Sequence, residues 1–258
     1  MSKRQYYSTI KYILFSLVLL ASSQNGVAQI IKGKKNKYKA AEHIVALKEG
    51  TLVMLLSSKH KNILAIEKAL GQKGLSSKSK KRLNKNRTKI LQKQKKANGD
   101  IVYALGEHYD FSELRILYDT AMVHILAGKS SGYFLDNDLK IDPSINIDHN
   151  APIYSVRFGQ GSVSETNNFE GFIIRDSDNE QPPKPFPYFV KANYPPSSVF
   201  AAFIGKGADV SPDFFKMISK LNINLTNYYP EAQFKITKKK LRETFEKQQK
   251  EAEGKREN

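Results

Sequence analysis

The 258-residue chain contains no cysteine and no tryptophan. Without cysteine there is no disulfide, no thiolate nucleophile, no Cys-ligated zinc or iron–sulfur site and no lipidated cysteine, so stability has to come from core burial. Without tryptophan, the aromatic and proline-rich stretch 182–203 loses the residue best suited to stacking on sugars, and it reads as packing along an irregular edge. The apolar run Tyr12 to Ala21 is far short of the ~20 residues that span a bilayer, and no later stretch reaches that length. Catalytic signatures are missing as well. There is no Gly-x-Ser-x-Gly, and Gly205-Lys206-Gly207 lacks the rest of a phosphate-loop spacing. The five histidines, His43, His60, His108, His124 and His149, show no metal-ligand spacing. No catalytic residue, cofactor or metal site is therefore assigned, and the reading leans away from an enzyme.

What the chain has is positive charge, and it is unevenly placed. The formal net charge is +17. Residues 29–96 hold 20 basic residues against three acidic ones, whereas residues 97–258 are slightly acidic. At the N-terminus, Lys3, Arg4 and Lys11 precede the apolar run, and small and polar residues follow it to Ala28. That order predicts a signal peptide over 1–28 and an exported protein, periplasmic or extracellular, with no transmembrane span after cleavage.

A lysine-rich segment, 29–39, reads as a basic flexible leader. One α/β domain is expected over 40–231. It starts with a short helix carrying Ile44, Val45 and Leu47, then a buried strand at Thr51 to Ser57. A helical hairpin over 59–110 follows, broken at Gly71 to Ser77. Its first helix carries Ile63, Leu64, Ile66 and Leu70. The second has only a sparse stripe of Leu83, Ile90, Ile101 and Leu105, which predicts a helix that projects or lies on the surface. A second strand is read at Leu114 to Tyr118 and a short helix within Ala121 to Ala127. After an Asp/Asn-rich loop come strands Ile153 to Phe158 and Phe169 to Arg175, joined by a long loop, and an edge strand near Tyr188 to Lys191. A helix starts at Ser211-Pro212-Asp213 and runs to about Leu221, and a separate charged helix occupies 236–258. Together these imply an α/β fold, with α+β as the alternative: a mixed β-sheet with helices on both faces.

This order of elements, with Pro152 just before the third strand, resembles the thioredoxin-like arrangement over roughly Thr51 to Leu221. The Cys-x-x-Cys of that family is absent, so its redox chemistry does not carry over. Leu47-Lys48-Glu49-Gly50-Thr51-Leu52-Val53, Tyr133-Phe134-Leu135-Asp136-Asn137 and Pro185-Phe186-Pro187-Tyr188-Phe189-Val190 are similar to an exported protein family of Bacteroidota-type bacteria. That resemblance implies a compartment and no activity.

Three constellations could carry a function. Lys78, Lys80, Lys81, Arg82, Lys85, Arg87, Lys89 and Lys93, continuing into Lys95 and Lys96, could bind an anionic envelope surface or an acidic protein partner. No aromatics are interleaved as base-stacking platforms, which disfavours nucleic acid. The bland alternative is a solvated helix face. Asp136, Asp138, Asp142 and Asp148 could hold calcium, but Lys140 and Ile141 stand where an EF-hand needs a ligand and a glycine, so a loop of Asx turns is favoured. Asp176, Asp178 and Glu180 repeat the pattern. Asp119, at the end of the second strand, reads as a helix cap. The alternative function is a small-ligand or calcium-binding protein, or an enzyme, with a fold-assembled pocket near Asp119, Pro152 and the acidic loop 136–148.

Overall fold

The computed structural model describes residues 35–164, 167–194 and 212–254. The signal peptide expected at 1–28 lies outside them.

Helix α1 covers 35–49. It takes in residues 35–39, expected to be a flexible leader, because Ala40, Ala41, Ile44 and Leu47 fall on one helical face and are completely buried. Gly50 turns the chain into strand β1, Thr51–Leu56. A Cβ on Gly50 would stand 2.1 Å from the carbonyl oxygen of Pro152, so only glycine lets the two backbones approach this closely.

β1 is an interior strand of a five-stranded mixed sheet of order β2-β1-β3-β4-β5. It pairs in parallel with β2, Glu113–Tyr118, and with β3, Ile153–Ser164. β4, Asn167–Arg175, and β5, Phe189–Lys191, are added antiparallel. An interior strand covered on both faces needs continuous apolar sequence, which TLVMLL supplies. Leu52, Met54 and Leu56 enter the larger core with Ile116, Val156, Phe172 and Ile174. Val53 points the other way, toward Leu117, Ile125, Phe134 and Ile147. Each such leucine or methionine contributes about 1.5–3 kcal/mol by burial.

A parallel β1–β2 pair requires a crossover. Here it is a hairpin of α2, His60–Leu70, and α3, Ser77–His108. The expectation that α3 would merely project or lie on the surface therefore holds for only part of it. Ile101, Val102, Ala104 and Leu105 are buried in the main core, since the crossover must cover the sheet. Residues 77–97 are exposed or half-buried. The Asn98 side-chain amide donates to the Ser57 carbonyl (3.1 Å), just past the end of β1. The preceding ~20 residues of α3, about 30 Å at 1.5 Å per residue, thus extend beyond the carboxyl ends of the parallel strands.

The 3₁₀ turn Asp119–Ala121 and helix α4, Met122–Leu126, follow β2. Together with loop 129–149 they cover the smaller face of the sheet, where Tyr133, Phe134 and Ile147 pack on Val53 and Leu117. The larger face is covered by α1, α3 and the C-terminal helix α5, Phe214–Gly254.

Two connections differ from expectation. The stretch 159–168, read as a long loop, is largely strand: β3 and β4 pair from Ser155–Arg175 to Ser164–Asn167, with a register shift at Ser162/Ser164. Its polar residues occupy the far end of the ladder. The two C-terminal helices are one, α5, with Pro230 inside. Proline costs a helix interior ~3 kcal/mol. Here Leu225, Tyr228 and Ala232 are buried on both sides of the exposed Pro230 and hold the helix through it. Asp213 caps this helix, its Oδ1 accepting from the Lys216 N–H at 3.1 Å, so Pro212 stands just before the cap. Residues 240–250 are all exposed.

Candidate anion-binding surface

The candidate site is built on the projecting part of α3. Ser76 starts the helix: its Oγ accepts from the Ser79 N–H at 3.2 Å, which satisfies one of the free first-turn donors. From Lys68 to Gly99 the chain carries no carboxylate. Successive helical residues advance by 100°, and this phase divides the eight basic residues from Lys78 to Lys93. Lys78, Arg82, Lys85, Lys89 and Lys93 recur at intervals of four, three, four and four. They form a single row over about 22 Å, given 1.5 Å per residue. All five are exposed. Lys81 flanks the row. Leu83, Ile90, Ala97 and Ile101 fall on a neighbouring side, about 100° round the helix, and are half-buried or buried.

Arg87 and Lys80 do not belong to the row. Arg87 turns toward α2 and donates from Nη2 to Glu67 Oε1 at 2.9 Å. Both side chains are more than two-fifths exposed, so the pair contributes at most about 1 kcal/mol and serves mainly to hold the two helices in register. Lys80 is exposed on the Arg87 side. Of α2's apolar residues only Ile66 is buried, while Leu64 is 54% exposed, so α2 is a shallow brace against α3.

The acidic loop is organised around backbone groups. Asp136 Oδ1 accepts from the N–H groups of Asp138 (2.9 Å) and Lys140 (2.8 Å), Asp142 Oδ1 from Ser144 (2.9 Å), and Asp148 Oδ1 from Asn150 (2.8 Å). The hydrogen bonds from Ser144 hold the Asp142 carboxyl below the usual carboxylate range. Asp176 repeats the Asp136 turn, accepting from Asp178 at 3.1 Å and Glu180 at 2.9 Å. Among the described residues, no three acidic or histidine side chains converge as metal ligands. What the loop does is structural. The Leu135 N–H donates to the Ile116 carbonyl (2.8 Å), and Arg115 Nε to the Asn146 carbonyl (2.5 Å). The loop thereby covers the outer edge of β2, which would otherwise offer unpaired strand groups.

Asp119 and Pro152 do not meet. The Pro152 carbonyl accepts from the Thr51 N–H (2.9 Å) at the amino end of β1. Asp119 Oδ1 accepts from the Ser58 N–H (3.0 Å) beyond its carboxyl end. About 17 Å of strand separates them, at ~3.3 Å per residue. Asp119 caps neither the 3₁₀ turn nor α4; its carboxylate ties the loop after β1 to the end of β2. Among the described residues the cis peptide is Lys184–Pro185, so the bond before Pro152 is trans.

His43 is held against two aromatic rings. Its Nδ1 lies 2.9 Å from the Tyr154 hydroxyl, and its ring packs edge-on against Tyr154 and Phe186. Burial lowers its pKa below 6.5, with Asp176 and Glu42 opposing and Lys39 adding to the effect. Burial likewise raises the Tyr154 hydroxyl well above its ordinary value.

Sequence reasoning grouped the basic residues but missed their division into an outward row and an inward ion pair. The 100° phase could have revealed it. It also missed Gln94 and Asn98, whose spacing of four places two amides on the inner face of α3. Among the described residues, no helix is long and apolar enough to cross a membrane. Comparison with known protein families, curated proteins and solved structures finds no match.

Proposed function

We propose that this chain is an exported binding module without an enzymatic site, which docks on an anionic surface of the cell envelope through the outward row Lys78, Arg82, Lys85, Lys89 and Lys93. The carrying observation is that row: five exposed cations on one helical face, with no carboxylate between Lys68 and Gly99. An ordinary solvated helix mixes both signs along its length. From Ser77 to Gly99 this one has basic residues and no acidic ones, and lines up like charges at a cost to helix stability. A straight, evenly spaced row suits an extended anionic plane such as lipid headgroups, where each cation contributes about 1 kcal/mol. The row also stands clear of the sheet, so contact requires no rearrangement of the core.

The test is sedimentation with phosphatidylglycerol-containing vesicles at low salt, using Lys78, Arg82, Lys85 and Lys89 all changed to Gln. Wild type binds, and binding weakens steeply as salt is added. The variant loses two orders of magnitude or more in affinity, four cations at about 1 kcal/mol each. Lys80→Gln, off the row, changes binding little. Unchanged binding of the fourfold variant removes the proposal. Wild-type failure on vesicles together with salt-sensitive capture of an acidic protein moves the partner from lipid to protein.

A further inference from the structure

On the side of α3 that carries Ile90, Ala97 and Ile101, next to the end of the basic row at Lys93, the chain leaves a cavity of about 470 Å³. That volume lies in the range of small-molecule sites. It opens at the carboxyl end of β1, beside Phe158 in the middle of β3, and from these two strands the chain turns to β2 on one side and to β4 on the other. Open α/β sheets bind ligands at such reversal points.

The two ends of the cavity differ in chemistry. Ile90, Ala97 and Ile101 recur along one face of α3 and form an apolar wall, completed by Leu55, Phe158 and Phe214. Ile90 and Ala97 are only half-buried, so part of a core-type helix face has no protein packed on it. The polar end is made by Lys59, Asn62 and Gln94, with Asn98 behind them. Asn98 is 3% exposed, accepts from Gln94 Nε2 at 2.6 Å and donates to the Ser57 carbonyl, so this end is rigidly positioned. Lys59, Lys93 and Lys96 lie in the lining, Lys96 ion-paired with Asp100 (2.8 Å), and no lining residue is a carboxylate. Lys59 also occupies the left-handed region, at φ 52°. A non-glycine residue there carries a conformational cost of order 1 kcal/mol.

We propose that this cavity binds a small amphiphilic anion, its carboxylate or phosphate head at Lys59 and Asn62 and its short apolar tail against Ile90, Ala97 and Phe158. Of the outward row only Lys93 lies in the lining; Lys78, Arg82, Lys85 and Lys89 do not.

The test is thermal unfolding of the full chain with octanoate or octyl phosphate below their micelle concentrations, with 1-octanol and inorganic phosphate as controls. A ligand bound only to the folded state raises Tm with concentration. At least one octyl anion is expected to raise Tm, and which one does so identifies the head group. Octanol and inorganic phosphate shift it much less. Lys59→Asn removes the ammonium but suits the left-handed backbone, so it folds and binds the anion at least fivefold more weakly. Ala97→Leu fills the apolar wall and also weakens binding. Fourfold substitution of the outward row leaves the shift in place. The proposal falls if neither anion shifts Tm, if octanol or inorganic phosphate matches the anions, or if Lys59→Asn retains the wild-type shift.

Discussion

The side-chain amide of the buried Asn98 donates to the carbonyl of the half-buried Ser57 at 3.1 Å, which sets where α3 leaves the sheet and begins to project. Asn98→Ala leaves that carbonyl and the Gln94 amide without their partner. Loss of a buried hydrogen bond of this kind costs about 1–3 kcal/mol. Urea unfolding of the variant shows a lower midpoint with little change in slope.

Gly50 and Gly106 should respond oppositely to alanine. At Gly50 the added methyl meets the Pro152 and Ala46 carbonyl oxygens at 2.1 and 2.9 Å, both backbone atoms, so the α1–β1 turn must open. Gly50→Ala is expected to lose more than about 3 kcal/mol, in the range of severe packing defects. Gly106 lies exposed near the end of α3 with nothing within 4 Å of such a methyl. Gly106→Ala gains up to about 1 kcal/mol from helix propensity. Thermal unfolding of the two variants checks both signs.

Two turns share one hydrogen-bond pattern, at Asp136–Lys140 and Asp176–Glu180, and each contains a non-glycine residue in the left-handed region: Leu139 at φ 63° and Asn179 at 61°. Asparagine tolerates that region and a β-branched residue does not. Asn179→Val therefore costs about 1–3 kcal/mol, whereas Asn179→Gly is nearly neutral. Because the Asp136 and Asp142 oxygens are engaged by backbone N–H groups, millimolar calcium should leave Tm unchanged relative to EGTA. A calcium-dependent rise in Tm would show that the loop has another role.

His43 sets part of the pH dependence. Burial places its folded pKa below 6.5, so at acidic pH the unfolded chain binds the proton more readily than the folded one. Its contribution is complete above about pH 6.5, the unfolded value, and is lost as pH falls from there through the folded pKa. The Tm of wild type should fall between pH 7.5 and 5.5, and His43→Gln should flatten that part of the profile while lowering Tm at neutral pH through loss of the Tyr154 contact. An identical slope in the variant would assign the acid sensitivity to other groups.

Much of the fold was legible because the local signals were strong. Leu52 to Leu56 is apolar without interruption and became a buried interior strand, paired in parallel on both sides. Pro185 and Pro187 confined β5 to an edge. Gly71 and Gly74 broke the hairpin where α2 ends. The errors share a cause: local polarity or a single residue outweighed packing that is distant in sequence. The polar stretch 159–164 reads as loop, yet it is held in strand by pairing with β4. Pro230 reads as a stop, yet Tyr228 and Ala232 are anchored in the core on either side of it. Asp119 and Pro152 stood out as strand-end residues, but a parallel register with β1 puts them at opposite ends of the sheet.

Residue order alone determined the charge imbalance, the absence of thiol chemistry, the buried first strand and the helical character of the basic segment, since each depends on composition or on neighbours within a turn or two. Only the tertiary structure decided what the basic segment is. The parallel pairing of β1 and β2 made it a crossover and drew its last third into the core. Asn98, tied to Ser57, marks the point beyond which the remainder stands free. The helical phase then turned one face of that projection into a row of cations and left a neighbouring face lining a cavity.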